Sequence, residues 1–148
     1  MKNLIFLIIF PYSLILSSQT QNKIINFEKT SIVVFDASYK LSFSIKDNEN
    51  SFIPTENEVR VANNLLNIFD IKNRHNKKIK KRQVFGYTKN GQKYILINDL
   101  PFKNVKQFET EFANWVDEFL FVFTDPPNLF NQLYSVNLLD ETIGFFNN

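Results

Sequence analysis

The chain has 148 residues, with 17 Lys and Arg against 15 Asp and Glu, and it contains no cysteine. That length supports one domain with one sizeable core, and the lack of cysteine excludes disulfides, thiolate zinc sites and thiol catalysis. With 44% hydrophobic and 22% charged residues, the composition is neither that of a disordered chain nor that of a membrane bundle.

The first 18 residues have the pattern of a secretory signal peptide. Lys2 gives a basic start, residues 4–16 form a mainly apolar run broken by Pro11, and two serines precede a polar stretch. A membrane-spanning helix needs about 20 apolar residues, so this shorter run predicts a cleaved export signal over residues 1–18. An uncleaved N-terminal membrane anchor is the alternative, because the exit site is not an ideal A-x-A sequence. A periplasmic or secreted bacterial protein is expected, since exported animal domains of this size usually carry disulfides.

Residues 23–148 are expected to form a single α+β domain. Alternation of apolar and polar residues predicts strands within 23–46. Thr55 and Glu58 have the three-residue spacing of a capping box, and apolar residues follow at helical spacing over 56–72. The sequence therefore predicts strands followed by a helix that buries one face.

The dipeptide Asn90-Gly91 favours a type I′ turn and predicts a β-hairpin. Pairing outward from this turn places Tyr87 opposite Tyr94 and Phe85 opposite Leu96. Apolar residues line both faces of the two strands, which predicts a central position in the sheet.

A second helix is predicted over 105–118, starting after Asn104, and two closing strands are predicted over 133–138 and 143–146. Strands grouped between helices in this order predict an antiparallel sheet with the two helices packed on one face. The expected core comes from the helices and the hairpin: Val59, Leu65, Leu66, Phe69, Phe85, Ile95, Ile97, Phe112, Trp115 and Phe119.

The start of the first helix, 53–59, and the hairpin, 82–93, resemble a family of small uncharacterised exported proteins of Bacteroidetes. The hairpin motif of that family reads R-Q-x-x-G-[aromatic]-x-x-N-G-x-K, and the resemblance covers residues 52–148. It implies an α+β fold and export, and it implies no activity. Where the family has a D-G-G turn, this chain has Asp125-Pro126-Pro127. Because two prolines lack the amides and the conformational freedom of two glycines, no anion-binding role of that turn transfers to Asp125.

The sequence shows no catalytic constellation, and no cofactor or metal is expected. His75 is surrounded by basic and amide residues, without the orienting acid and nucleophile that a catalytic base needs. Residues 47–50 echo a calcium loop, but Phe52 stands where that loop requires glycine. The acidic pairs at 117–118 and 140–141 are sequence neighbours, so their side chains should point in different directions.

Residues 72–82 contain seven Lys and Arg and no acid. This basic block lacks a hydrophobic period, which predicts an exposed loop. Such cations could bind an anionic polysaccharide, a lipid head group or an acidic protein surface; a solvated loop without a ligand is the alternative. Nucleic acid fits poorly, because export removes it and no aromatic residues are interleaved. The candidate anion-binding residues are Arg74, Lys77, Lys78, Lys80, Lys81 and Arg82.

The sequence thus predicts a non-catalytic exported module. The alternatives are an inhibitor-like domain that presents the loop 125–130 to a partner enzyme, and a small hydrolase. An enzyme needs a concave site where several perturbed polar groups converge, and the sequence nominates none.

Overall fold

Seven strands and two helices occur in the computed structural model, which describes residues 22–41, 50–72, 79–100, 102, 104–120 and 132–146. The strands are β1 (Lys23–Phe27), β2 (Thr30–Val34), β3 (Ser51–Phe52), β4 (Lys80–Lys89), β5 (Gln92–Asp99), β6 (Gln132–Asn137) and β7 (Thr142–Phe145). The helices are α1 (Glu56–Lys72) and α2 (Val105–Glu111). The predicted export signal, residues 47–49 of the 47–50 segment, His75 and the loop 125–130 lie outside the described residues.

The strands form one mixed sheet in the order β1-β2-β4-β5-β6-β7, and β3 pairs with β4 beside that order. The α+β class is confirmed, but the sheet is not antiparallel throughout. β2 and β4 run parallel, with Thr30 beside Lys80 and Val34 beside Val84. Because α1 lies between these strands in the sequence, it forms the long crossover that a parallel pair requires.

Helix α1 begins with the predicted capping box. The Thr55 N–H donates to Glu58 Oε2 at 2.8 Å, and the Glu58 N–H donates to Thr55 Oγ1 at 3.3 Å. Lys93 Nζ also lies 2.8 Å from Glu58 Oε1. Burial opposes ionisation of Glu58, but the hydrogen bonds from Lys93 and Thr55 outweigh it and hold the pKa of Glu58 below its usual value. The predicted bounds of this helix, 56–72, are confirmed.

The hairpin also has its predicted turn and register. Asn90 has φ 51° and Gly91 has φ 77°, the left-handed conformation that a type I′ turn needs at both positions. Tyr87 pairs with Tyr94, and their rings stack with centroids 5.3 Å apart. β4 pairs with β2 on one side and β5 on the other, so the central position is confirmed.

The two faces of the sheet have separate apolar covers. On one face, Leu66 of α1 belongs to the same buried cluster as Val84 and Ile97. On the other, Phe119 belongs to a cluster with Phe85 and Leu96, flanked by half-buried aromatic and aliphatic side chains. Because successive side chains of a strand point to opposite faces, adjacent residues of β4, and likewise of β5, pack in different clusters.

Helix α2 belongs to the second face, so the prediction that both helices pack on one face is corrected. Its Phe108 clusters with Leu100 and Phe112, and Trp115 connects this cluster to the Phe85 face. The physical reason is that both faces of the hairpin are apolar, and each requires its own cover.

Helix α2 is also shorter than predicted, since it ends at Glu111 instead of 118. The Asn104 side chain accepts from the Gln107 N–H at 2.9 Å, as the start signal predicted. Beyond the helix, the Gln83 amide donates to the Trp115 and Glu118 carbonyls, and Gln83 Oε1 accepts from the Leu120 N–H. Bonding to this strand side chain therefore replaces the last helical turns.

The predicted core is largely confirmed. Its buried members are Val59, Leu66, Phe85, Ile95, Ile97, Phe112 and Phe119. Leu65, Phe69 and Trp115 are half-buried against the core clusters. Among the described residues, neither helix is long and apolar enough to cross a bilayer.

Candidate functional site

The basic block leaves the C-terminal end of α1 and enters β4. Lys80, Lys81 and Arg82 are strand residues, so the predicted exposed loop does not extend to them. The Lys80 N–H donates to the Lys29 carbonyl at 2.9 Å. This bond ties the start of β4 to the turn between β1 and β2. Arg74, Lys77 and Lys78 lie outside the described residues.

Arg82 is fully buried and holds α1 against the sheet. Its Nε donates to Asp99 Oδ1 at 3.1 Å, across the β4–β5 pair, and one terminal nitrogen donates to Asp70 Oδ2 of α1 at 2.9 Å. The other terminal nitrogen donates to the side-chain oxygens of Asn63 and Asn67. The planar fork of the guanidinium suits such convergent acceptors.

Lys80 completes this cluster. Its Nζ lies 2.8 Å from Asp70 Oδ2 and 2.9 Å from Asn67 Oδ1, and its side chain is almost fully buried. Two carboxylates thus oppose two cations inside the fold. The prediction that Lys80 and Arg82 offer charge to an external anion is corrected, because their partners are internal.

The sequence contained an unused signal for this cluster. Asp70 falls four residues after Leu66, on the same helical face as Val59. A carboxylate on the core face of a helix requires a buried partner. A basic residue near the start of the next strand can supply that partner, and Arg82 does so.

Two polar atoms of the cluster lack hydrogen-bond partners among the described residues: Asp70 Oδ1 and Tyr134 Oη. Burial raises the pKa of the Tyr134 hydroxyl well above its usual value, and the negative charges of Asp70 and Asp99 add to the effect. The hydroxyl therefore stays protonated. The Asp70, Arg82 and Asp99 side chains are closed to solvent, so the cluster fits a structural clamp better than a substrate site.

Lys81 points to the opposite face of the sheet. Its Nζ donates to Ser31 Oγ at 3.0 Å. The same atom lies 5.1 Å from the centroid of the Trp115 ring and 5.6 Å from that of the Phe108 ring. A cation over aromatic faces is favourable. Of the three described candidates, Lys81 is half-buried in packing contacts and is not a freely exposed cation.

Among the described residues, two lysines that are not on the candidate list are exposed at this end of the sheet. Lys72 ends α1, and Lys29 lies in the turn between β1 and β2. They are brought to the same end because Lys80 bonds the Lys29 carbonyl through its backbone and Asp70 through its side chain. Sequence reasoning missed Lys29, because it is 43 positions from Lys72 in the numbering of the chain. Glu28 is exposed in the same turn and partly offsets this charge.

The remaining acidic candidates have structural surroundings. Asp140 Oδ2 accepts from Asn137 Nδ2 at 2.9 Å in the turn between β6 and β7, where Glu141 has φ 50°. Among the described residues, no three His, Asp or Glu side chains are grouped as a metal site would require. Comparison with protein-family models, curated proteins and solved structures finds no match to the chain. The resemblance to exported Bacteroidetes proteins stays a prediction.

Proposed function

We propose that the protein is a non-catalytic exported module that binds an anionic partner through one end of its sheet. We call this surface the basic end: exposed Lys29 and Lys72, with Arg74, Lys77 and Lys78 supplied by the sequence that follows α1. The observation that carries the proposal is that two exposed lysines from distant elements are held where the basic block attaches.

The internal pairing of the cluster supports this assignment. Asp70 and Asp99 neutralise Lys80 and Arg82 inside the fold, and these are two of the seven cations in residues 72–82. Grouped charges of one sign raise the local concentration of an oppositely charged partner. The buried cluster offers a substrate no access, which favours binding over catalysis.

Export is the first expected result. When the full chain is expressed in a bacterium, we expect protein recovered from the periplasm or medium to begin at Gln19, because residues 1–18 have the basic, apolar and small-residue order of a cleaved signal. Intact-mass measurement of each cell fraction checks this. Full-length protein confined to the membrane fraction would support the anchor alternative, and full-length protein in the cytoplasm would contradict export.

Binding to a polyanion is the second expected result. The chain from Gln19 to Asn148 should be retained on immobilised dextran sulfate at low salt and released by about 1 M salt, because the Debye length falls from ~10 Å at 0.1 M to ~3 Å. Replacing Lys77 and Lys78 by Gln should lower the salt concentration needed for elution. Retention that does not change in this variant would count against the basic end.

The matched control is Lys40→Gln/Lys89→Gln. Both residues are exposed, and the control removes the same number of positive charges. Lys89 lies at the far end of β4, and Lys40 follows β2, whereas Lys29 precedes it. We expect the control to elute near the parent protein. An equal loss in both variants would indicate that only the net charge matters.

A further inference from the structure

The basic end also exposes apolar side chains. Ile68 and Ile71 in α1 are 51% and 65% exposed, and Ile79, directly before β4, is 47% exposed. Single exposed aliphatic residues are normal on soluble proteins. Here three exposed isoleucines lie within twelve positions of the sequence, beside a run of cations. This combination indicates an interaction site.

Helix geometry places two of these residues side by side. Ile68 and Ile71 are separated by three positions, so they share one face of α1, and Lys72 follows one turn after Ile68. Leu66 and Asp70 face the sheet and are buried. The outer face of the last helical turns therefore presents aliphatic side chains and a lysine.

The buried cluster explains why this surface carries no opposing carboxylate from α1. Between Val59 and Lys72 the only acidic residue is Asp70, and its carboxylate is directed inward to Lys80 and Arg82. The same contacts hold the start of β4, and with it Ile79, against the end of the helix. The clamp thus leaves an outer surface of isoleucines and positive charge.

We propose that this surface, the amphipathic end (Lys29, Ile68, Ile71, Lys72 and Ile79), docks on an anionic lipid membrane. The isoleucines enter the boundary between head groups and acyl chains, and the lysines meet the lipid phosphates. The inference rests on the proposed function and names the partner of the same end. An anionic lipid surface binds apolar and cationic groups together, whereas an acidic polysaccharide binds only the cations.

The test is co-sedimentation of the chain from Gln19 to Asn148, which retains every described strand and helix, with vesicles of equal parts phosphatidylglycerol and phosphatidylcholine. Replacing Ile68 and Ile71 by Gln should weaken binding by about tenfold or more, since each buried methylene contributes to membrane affinity. The matched control, Ile24→Gln/Ile53→Gln, removes two isoleucines of similar exposure, 46% and 55%, from β1 and from the segment after β3. It should bind like the parent.

A second measurement does not depend on these variants. Because the chain has no cysteine, Ile71→Cys provides a unique site for a polarity-sensitive fluorophore. Its emission should shift to the blue with the anionic vesicles, and a label at Ile53→Cys should not respond. Thermal melting curves measured by circular dichroism check that each variant is as stable as the parent protein before their binding is compared.

The outcomes separate the two proposals. Retention on dextran sulfate without vesicle binding overturns membrane docking and leaves the proposed function. Equal binding by the parent and the Ile68→Gln/Ile71→Gln variant, or equal binding to pure phosphatidylcholine, also overturns it. Failure to bind either vesicles or dextran sulfate overturns both proposals.

Discussion

Replacing Arg82 by Met should lower the free energy of unfolding by about 3–5 kcal/mol, because removing one member of a buried ion pair leaves its partners charged and unsolvated. Asp99 would lose the donor 3.1 Å from its carboxylate, and Asp70 would keep only Lys80 among these cations. Methionine preserves much of the aliphatic volume, so the loss is mainly electrostatic. Urea denaturation of the chain from Gln19 measures it.

Arg60→Met is the matched control for this experiment. Arg60 also forms an ion pair with a carboxylate, Glu56, at 3.2 Å, but both side chains are more than half exposed. An exposed pair of this kind contributes about 0.3–0.5 kcal/mol. Similar shifts of the urea midpoint in the two variants would contradict the role assigned to the buried cluster.

Gly86→Ala is expected to destabilise the protein by about 1–3 kcal/mol, the usual range for an overpacked site. A Cβ at this position would lie 2.5 Å from the Phe52 carbonyl oxygen and 2.9 Å from Pro54 Cγ. The carbonyl belongs to the backbone of β3, which pairs with β4 at Gly86 itself. Relief of the clash therefore requires β3 to move, and the melting midpoint should fall.

The same substitution at Gly144 isolates this effect. Gly144 lies in β7, and a Cβ there would meet no atom of another described residue within 4 Å. Alanine should therefore leave the melting midpoint nearly unchanged or raise it slightly, because it reduces the freedom of the unfolded chain. A parallel decrease in both variants would show that crowding near Phe52 is not the cause.

The structure gives several residues of the hairpin segment, 82–93, a role in the fold. Arg82 joins α1 to the sheet, and Gln83 bonds the segment after α2. Gly86 admits the close approach of β3, and Asn90-Gly91 forms the turn. Each of these hairpin positions thus serves packing or chain reversal.

Local interactions made several elements predictable from the sequence alone. The capping box of α1 joins residues three positions apart, and the Asn90-Gly91 turn requires only the conformations of two neighbours. Such signals act within a few residues, so they do not depend on the rest of the fold. The bounds of α1 and the register of the hairpin therefore followed from the sequence.

Only the tertiary structure decided the features that depend on distant partners. The end of α2 at Glu111 depends on Gln83, and the burial of Arg82 depends on Asp70 and Asp99, 12 and 17 positions away. A run of cations in the sequence does not show which side chains form ion pairs with buried carboxylates. Desolvation makes that pairing obligatory once the fold forms, and this is why Lys80 and Arg82 are buried whereas Lys72 is exposed.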